Sequence, residues 1–103
     1  MTKGWFVGDF RPSVYLTRQC EVAVKRYPAG AYEAEHYHKV ATEITVVVSG
    51  QIKMNHQRYD ENDIVVVEPN ESTDFLAVTD AVTAVVKIPG AQNDKYIGRS
   101  KKA

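Results

Sequence analysis

The sequence has little of several features that would define a function class. A single cysteine among 103 residues excludes an internal disulfide framework and a cysteine-rich zinc finger. Thirteen basic residues balance thirteen acidic ones, so net charge points to neither nucleic acid nor an anionic membrane as a partner. No apolar run is long enough to span a bilayer, and the N-terminus lacks the apolar core of a signal peptide. We therefore expect a cytoplasmic protein.

The composition is that of one compact domain. The hydrophobic fraction of 44% and the charged fraction of 25% are typical of globular proteins, and the length suits a single domain. We find no internal repeat and predict one domain over residues 1–103, with 1–13 an N-terminal arm and 90–103 a tail. The tail is basic and lacks strand periodicity, so we expect it to be solvated and partly disordered.

Short segments rich in β-branched and aromatic residues recur along the chain, separated by turn-forming residues. They predict strands at Val14–Thr17, Glu21–Tyr27, Tyr32–His38, Thr42–Ser49, Gln51–Met54, Arg58–Tyr59, Asp63–Val67, Thr73–Val78 and Val82–Ile88. No window shows a sustained helical period with capping residues. Many short strands at this spacing predict an all-β sandwich or barrel.

The most informative stretch places two of the three histidines two residues apart. Side chains at i and i+2 of a strand point to the same face, so His36 and His38 can converge on one ion. Glu43 follows five positions later, and two imidazoles with a carboxylate suit a divalent transition metal. Glu43 has the opposite parity, however. Residues 39–42 must therefore contain a turn or bulge if the three side chains are to meet.

These residues belong to a longer pattern. Gly30, His36, His38, Glu43 and Gly50 occur at the spacing G-x5-H-x-H-x4-E-x6-G. This pattern resembles the first signature motif of the cupin superfamily. The resemblance implies a small antiparallel β-barrel of the double-sheet jelly-roll kind, with the ligands facing its interior.

The second cupin motif is only partly present. Asp63 and Pro69 match it, while Asn62 and Asn70 replace its glycines, and asparagine tolerates the left-handed conformation that such turns use. The histidine that usually completes the metal site falls on Thr73, a poor ligand. The resemblance thus implies a metal held by the first-motif residues alone or with one further ligand.

Strand alternation assigns neighbouring side chains to faces. Three possibilities stay open for a fourth metal ligand: Asp74, a water molecule, or no fourth ligand at all. Alternation from Thr73 places Asp74 on the outer face, which favours a solvent-exposed acid. Tyr32 and Ala34 share the parity of the histidines, so we expect them to line the cavity. Tyr37 points away and is expected to pack against neighbours. His56 lies in a polar turn, where a surface position is the simplest interpretation.

In the segment 42–49, the face of Glu43 continues through Thr45, Val47 and Ser49. The opposite face is wholly apolar, namely Ile44, Val46 and Val48. It must be covered by another sheet or by a partner subunit. Since most soluble oligomers are symmetric dimers, we favour a homodimer over a monomer. The aromatic N-terminal segment, which contains Trp5, Phe6 and Phe10, is a candidate to pack across that interface.

Two functions from different classes stay open. The first is a metal-dependent enzyme, in which an ion held by His36, His38 and Glu43 acts on a small-molecule substrate as a Lewis acid or by activating oxygen. The second is a non-catalytic or metal-free barrel that binds a sugar or nucleotide-sugar, or an accessory subunit. The ligand set suits iron, manganese, nickel, copper or zinc. Neither the motif nor the fold names a reaction.

Overall fold

The computed structural model describes residues 2–91 and 93–99, whose regular structure is β-strand apart from one 3-10 turn at Thr2–Gly4. The all-β prediction is confirmed. The strands are β1 (Trp5–Val7), β2 (Glu21–Tyr27), β3 (Tyr32–Tyr37), β4 (Thr42–Ser49), β5 (Ile52–Met54), β6 (Gln57–Tyr59), β7 (Ile64–Val67), β8 (Thr73–Ala77), β9 (Ala81–Ile88) and β10 (Tyr96–Ile97). No helix among these residues has the length and apolar character that a membrane crossing needs.

The strands form two five-stranded antiparallel sheets that together make the predicted jelly-roll barrel. The first has the order β1-β2-β9-β4-β7 and the second β10-β3-β8-β5-β6. Both sheets contribute side chains to one apolar core. The core residues are Val47, Ile52, Met54, Val67, Phe75, Ala77 and Ala81.

The interior of the barrel changes from apolar to polar along its strands. In β9 every second residue is buried, from Ala81 in the core to Lys87 at the opposite end. In β4 the same face runs from Val47 in the core to Glu43. Period-two alternation therefore builds a barrel with an apolar half and a charged half. The candidate site lies in the charged half.

The outer side of the first sheet carries two rows of apolar residues, which we call the outer apolar face. Each row crosses four hydrogen-bonded strands in register. The rows are Val22–Val86–Ile44–Val66 and Val24–Ala84–Val46–Ile64. Ile64 and Val66 are 62% and 53% exposed. Within the described part of the chain the second sheet does not cover this face.

Two predictions about the chain ends need correction. Val14–Thr17 is not a strand, since it makes only an isolated bridge from Tyr15 to Val7 and its apolar side chains are exposed. The N-terminal arm instead supplies β1, which pairs with β2. The tail is not simply solvated, because β10 pairs with β3. Two-residue and three-residue strands are too short to show a period. Residues 100–103 lie outside the described residues.

Candidate metal centre

A row of charged side chains crosses three neighbouring strands of the first sheet. Glu21 of β2 pairs with Lys87 of β9, which pairs in turn with Glu43 of β4. Directly opposite residues of antiparallel strands project to the same side. Glu21 and Lys87 are buried, and Lys87 Nζ lies 3.3 Å from Glu21 Oε1. This row forms one wall of a cavity of about 340 Å³.

The opposite wall is β3, where a bulge turns the histidine pair inward. The register between β3 and β8 shifts between Glu33 and His36. An extra residue in one strand changes which side chains face the interior, so both Glu33 and His36 line the cavity despite their opposite parity. His36 and His38 are only 8% and 5% exposed. Their ring centroids are 5.7 Å apart and their planes nearly perpendicular.

Both histidines use Nδ1 to contact a backbone carbonyl. His36 Nδ1 lies 3.0 Å from the carbonyl oxygen of Ala34, and His38 Nδ1 lies 2.7 Å from that of Asp94. A carbonyl oxygen can only accept a hydrogen bond, so each Nδ1 must carry the proton. A neutral imidazole protonated on Nδ1 has a free lone pair on Nε2, which is the form that binds a metal.

The turn required between His38 and Glu43 is present, and Asp94 holds it. The Asp94 carboxylate accepts hydrogen bonds from three consecutive backbone N–H groups, those of residues 39–41, at 2.9, 3.0 and 2.9 Å. Burial alone would raise the pKa of Asp94, but the three donors outweigh burial and lower its pKa. The turn changes the parity of the chain, and Glu43 therefore enters the cavity.

Glu43 and His38 meet inside the cavity. Glu43 Oε2 lies 3.1 Å from His38 Nε2. With the imidazole proton on Nδ1, both atoms are acceptors, so their contact needs a second ring proton or a cation. Burial opposes ionisation of Glu43, but the hydrogen bond and charge of His38, with the charge of Lys25, lower its pKa. Burial also lowers the pKa of His36, which favours its neutral, metal-binding form near pH 7.

The donor chemistry fits a divalent transition metal. Two Nε2 lone pairs and one ionised carboxylate are the nitrogen and oxygen ligands that iron, manganese, nickel, copper and zinc accept. Within residues 2–91 and 93–99, however, no group of three His, Cys, Asp or Glu side chains is arranged to hold an ion as it stands. Of the three candidate ligands, His38 and Glu43 are in direct contact.

The mouth of the cavity is lined by the N-terminal arm and by lysines. Trp5 and Phe10 form its aromatic side, so these residues pack against their own barrel. The Nζ atoms of Lys25 and Lys87 lie 5.0 and 5.7 Å from the centre of the Trp5 ring. Behind the mouth, a recess of about 20 Å³ continues towards the core. The cavity therefore narrows from a mouth large enough for a small organic molecule to a space of about one water molecule.

Solved structures share this architecture. A Klebsiella pneumoniae protein with a double-stranded β-helix domain gives a TM-score of 0.71 at 21% identity, over 82% of this chain and 74% of that one. An RmlC-like cupin from Shewanella frigidimarina gives a TM-score of 0.68 at 18% identity, over 76% of this chain and 72% of that one. KdgF from Halomonas gives a TM-score of 0.67 at 18% identity, over 75% of this chain and 76% of that one. This chain has the cupin fold. Neither family models nor curated protein sequences give a significant match.

The turns of both cupin motifs have the backbone conformation that their residue types suggest. Gly30 and Gly50 have φ values of 88° and 83°, a region that disfavours side chains. A Cβ on Gly50 would also collide with the carbonyl oxygen of Asp80. Asn62 and Asn70 adopt φ values of 74° and 69°. The asparagines therefore serve as left-handed turn residues in place of the usual glycines.

Thr73 occupies the cupin histidine position and faces the first-motif histidines. It pairs directly with His36 across β3 and β8 and is 6% exposed. Its hydroxyl donates to the carbonyl oxygen of Asp74 at 2.8 Å. Asp74 is drawn outward, where its carboxylate accepts hydrogen bonds from the Asn55 N–H and the Tyr32 hydroxyl. Asp74 is therefore not the missing ligand.

Other predicted positions have mixed outcomes. The predicted face of β4 is confirmed, since Thr45 and Val47 are buried. Tyr32 and Ala34 were expected in the cavity but are exposed, because the bulge in β3 changes the parity before His36. Tyr37 packs as predicted, with its ring 5.4 Å from that of Tyr96. His56 is exposed in its turn.

Sequence reasoning missed Asp94, Lys25 and Glu33. No pattern in the sequence links Asp94 to a turn more than fifty residues away. Lys25 was detectable, because it shares the parity of Glu21 and Ala23 in a strand predicted with its observed bounds. Two charged residues, Glu21 and Lys25, on a strand face that also carries the apolar Ala23 indicate a partly polar interior. Glu33 could not be assigned to the interior without the bulge.

Proposed function

We propose that this protein binds a divalent transition metal ion with His36, His38 and Glu43 and acts on a small organic molecule in the adjoining cavity. The observation that carries the proposal is the 3.1 Å approach of His38 Nε2 to Glu43 Oε2 while the other ring nitrogen donates to a carbonyl. Two buried acceptors in contact favour a cation between them. His36, whose ring centroid lies 5.7 Å from that of His38, would supply the third donor through Nε2.

Other proteins with this fold support a role in small-molecule chemistry. They include a DMSP lyase from Ruegeria pomeroyi, an oxalate decarboxylase from Bacillus subtilis and the nucleoside dehydratase Pac13. Their identities to this chain are 20%, 17% and 18%, so they support a general class and no particular reaction. A bound ion would supply Lewis-acid or redox chemistry at the cavity wall. The chain's own residues would orient the substrate and exclude water.

A second candidate function is a metal-free barrel that binds a small ligand such as a sugar or nucleotide-sugar. Thr73 favours it, since the residue opposite His36 offers a hydroxyl where the cupin motif has a histidine. In this alternative the contact between His38 and Glu43 is an ion pair with a doubly protonated ring. The two functions therefore differ in whether a cation or a proton joins those side chains.

Metal content distinguishes the two functions. Tag-free protein, purified without chelator or added metal, should contain about one transition-metal ion per chain by plasma mass spectrometry. The His36→Ala and His38→Ala variants should each lose it while remaining folded by circular dichroism. His56→Ala is the matched control, because His56 is exposed in a distant turn. Retained metal in the double variant, or none in the wild type even after soaking, would reject the proposed site.

We also propose that two copies of the chain associate through the outer apolar face. Both rows contain only Val, Ile and Ala across four strands, with no charged residue. The five strands contain three, seven, eight, eight and four residues, so the sheet spans roughly 480 Å² at ordinary strand spacings. A standard stable interface buries about 800 Å² per partner, so this sheet would supply the apolar centre of the interface and its surroundings the rest.

Light scattering coupled to size-exclusion chromatography tests the dimer. Wild type should have twice the chain mass of 11.5 kDa. Val66→Lys places a charge in one of the two rows, on the exposed edge strand β7, and should give a monomer. Val78→Lys is the control, because Val78 is also exposed but lies outside the rows. A monomeric wild type, or a dimer that tolerates Val66→Lys, would contradict this interface.

A further inference from the structure

Two polar side chains inside the barrel have no role in the proposed metal site. Lys25 of β2 and Thr83 of β9 are paired directly across the two strands. Side chains at such positions have their Cβ atoms about 5 Å apart on the same face. Both line the recess behind the cavity mouth, together with His36 and Glu43. They form a polar pair deeper in the barrel than the Glu21–Lys87 ion pair.

The Thr83 hydroxyl is a buried group without a partner. Thr83 is 1% exposed, and its Oγ1 makes no hydrogen bond within the described part of the chain. An unpaired buried hydroxyl destabilises a protein compared with a methyl group of the same shape. Valine would fill this position at no such cost. A threonine here therefore indicates a polar group that reaches the recess when the protein is at work.

The Lys25 ammonium also has no direct partner. Its Nζ makes no ion pair or hydrogen bond with a described residue and lies against the Trp5 ring instead. Burial lowers the pKa of Lys25, while the carboxylates of Glu33 and Glu43 oppose this effect from a distance. Lys87 differs, because it is paired with Glu21. Lys25 is thus a half-buried cation whose hydrogen-bonding capacity is free for a ligand.

The charge around the cavity favours an anion. Four lysines and three glutamates line it, which leaves one excess positive charge before any metal is bound. A divalent ion would add two more. Trp5 and Phe10 at the mouth provide an apolar surface for the rest of the molecule. A small organic acid combines these two requirements.

We infer that Lys25 forms a subsite in the cavity for the carboxylate group of a small organic acid, whose apolar part lies against Trp5, and that Thr83 supports it through one water molecule in the recess. The Lys25 ammonium is a charged donor to the carboxylate, and the recess of about 20 Å³ has room for the single water that would join the Thr83 hydroxyl to it. The inference rests on the proposed function in that the ligand occupies the same cavity. It does not require the metal, and the two can therefore be tested separately.

Trp5 is the only tryptophan of the chain and reports directly on the cavity. Its fluorescence is titrated with acetate, succinate and phenylacetate, and with the corresponding amides as uncharged controls. The protein is chelator-treated wild type. At least one carboxylate should change the fluorescence in a saturable way, and its amide should bind at least tenfold more weakly. Equal binding of acid and amide, or no binding of any of the three acids, overturns the subsite.

Two variants test the assigned residues. Lys25→Met keeps the length of the side chain and should weaken carboxylate binding roughly ten- to hundredfold, as expected for loss of a charged donor. Thr83→Val keeps the shape and should weaken it about three- to tenfold while leaving the melting temperature unchanged or higher. Lys53→Met is the control for a lost lysine charge, since Lys53 is exposed on β5 outside the cavity. Unaltered affinity in both cavity variants rejects the assignment.

The His36→Ala, His38→Ala double variant separates the subsite from the metal site. Carboxylate binding that survives in this variant and is lost in Lys25→Met supports the subsite, even if the metal assignment fails. Binding that requires the histidines and tolerates Lys25→Met means that the histidine site, and not Lys25, holds the carboxylate. That result overturns the subsite and leaves the proposed metal site standing. Inorganic phosphate is titrated in parallel, and tighter binding of phosphate than of every carboxylate would overturn the ligand class.

Discussion

Replacing Asp94 with alanine removes the acceptor for three consecutive backbone N–H groups in the turn between His38 and Glu43. The three groups are not equivalent. Ala41 is fully buried, whereas Lys39 and Val40 are exposed and their N–H groups can turn to water. The buried N–H of Ala41 is left without an acceptor, so it carries most of the expected cost.

The magnitude follows from this difference. An unsatisfied buried N–H costs about 1–3 kcal/mol, and loss of the charge-assisted bonds at the exposed positions adds roughly 1 kcal/mol. We expect Asp94→Ala to lower the free energy of unfolding by about 2–4 kcal/mol. For a domain of this length that corresponds to a fall in melting temperature of about 10–25 °C. Asp94→Asn keeps one acceptor oxygen, so its effect should be about half as large.

The same turn directs Glu43 into the cavity, and the main-chain carbonyl of Asp94 orients the His38 ring. A loosened turn should therefore weaken metal binding by about 10–100-fold, as is common for residues that orient ligands. Zinc affinity is measured by competition with a chromophoric chelator at a temperature where the variants are folded. Asp80→Asn is the matched control, because Asp80 also accepts a backbone N–H but in an exposed turn far from the site.

Two outcomes would refute this reasoning. A melting temperature of Asp94→Ala within about 2 °C of wild type would mean that the three hydrogen bonds contribute nothing net. A lower melting temperature with unaltered zinc affinity would show that the turn stabilises the barrel without positioning the ligands. Asp80→Asn should change neither quantity. If Asp80→Asn lowered the melting temperature and the zinc affinity as much as Asp94→Asn does, the effect could not be assigned to the turn that Asp94 holds.

Three further predictions address the site and its barrel. Thr73→His places an imidazole opposite His36 and should tighten zinc binding by about tenfold or more. An unchanged zinc affinity in the same competition assay would contradict this. Phe75→Ala removes a core ring that lies 4.5 Å from a neighbouring aromatic ring, so it should cost about 3–5 kcal/mol in urea unfolding. In acid, the lowered pKa values of His36, Glu43 and Asp94 act together. The contribution of each group to the free energy of unfolding is complete above the pKa that the group has in the unfolded chain. It is lost as the pH falls through the lower pKa of the folded protein. The melting temperature of metal-free protein should thus decline from about pH 6.5 downward, and a constant value from pH 7 to pH 4 would refute that.

The sequence was a good guide wherever a strand alternates regularly. β2 and β4 have the bounds predicted from their pattern, and the interior face of β4 from Glu43 to Val47 is as expected. The histidine spacing and the motif glycines indicated the cupin fold, because turn residues and ligand spacing are local properties of the chain. The need for a turn at residues 39–42 was also visible, since parity alone required it.

Pairing across the barrel decided what the sequence did not reveal. The bulge in β3 arises from its register with β8, and it exchanged Tyr32 for Glu33 as a cavity residue. Asp94 reaches its turn only because the tail docks through β10. Lys25 meets Thr83 only because β2 lies beside β9. The chain by itself determined strands, turns and a candidate ligand set, all of which depend on residues close in sequence. Only the tertiary structure selected the groups that support those ligands, because such contacts join segments far apart along the chain.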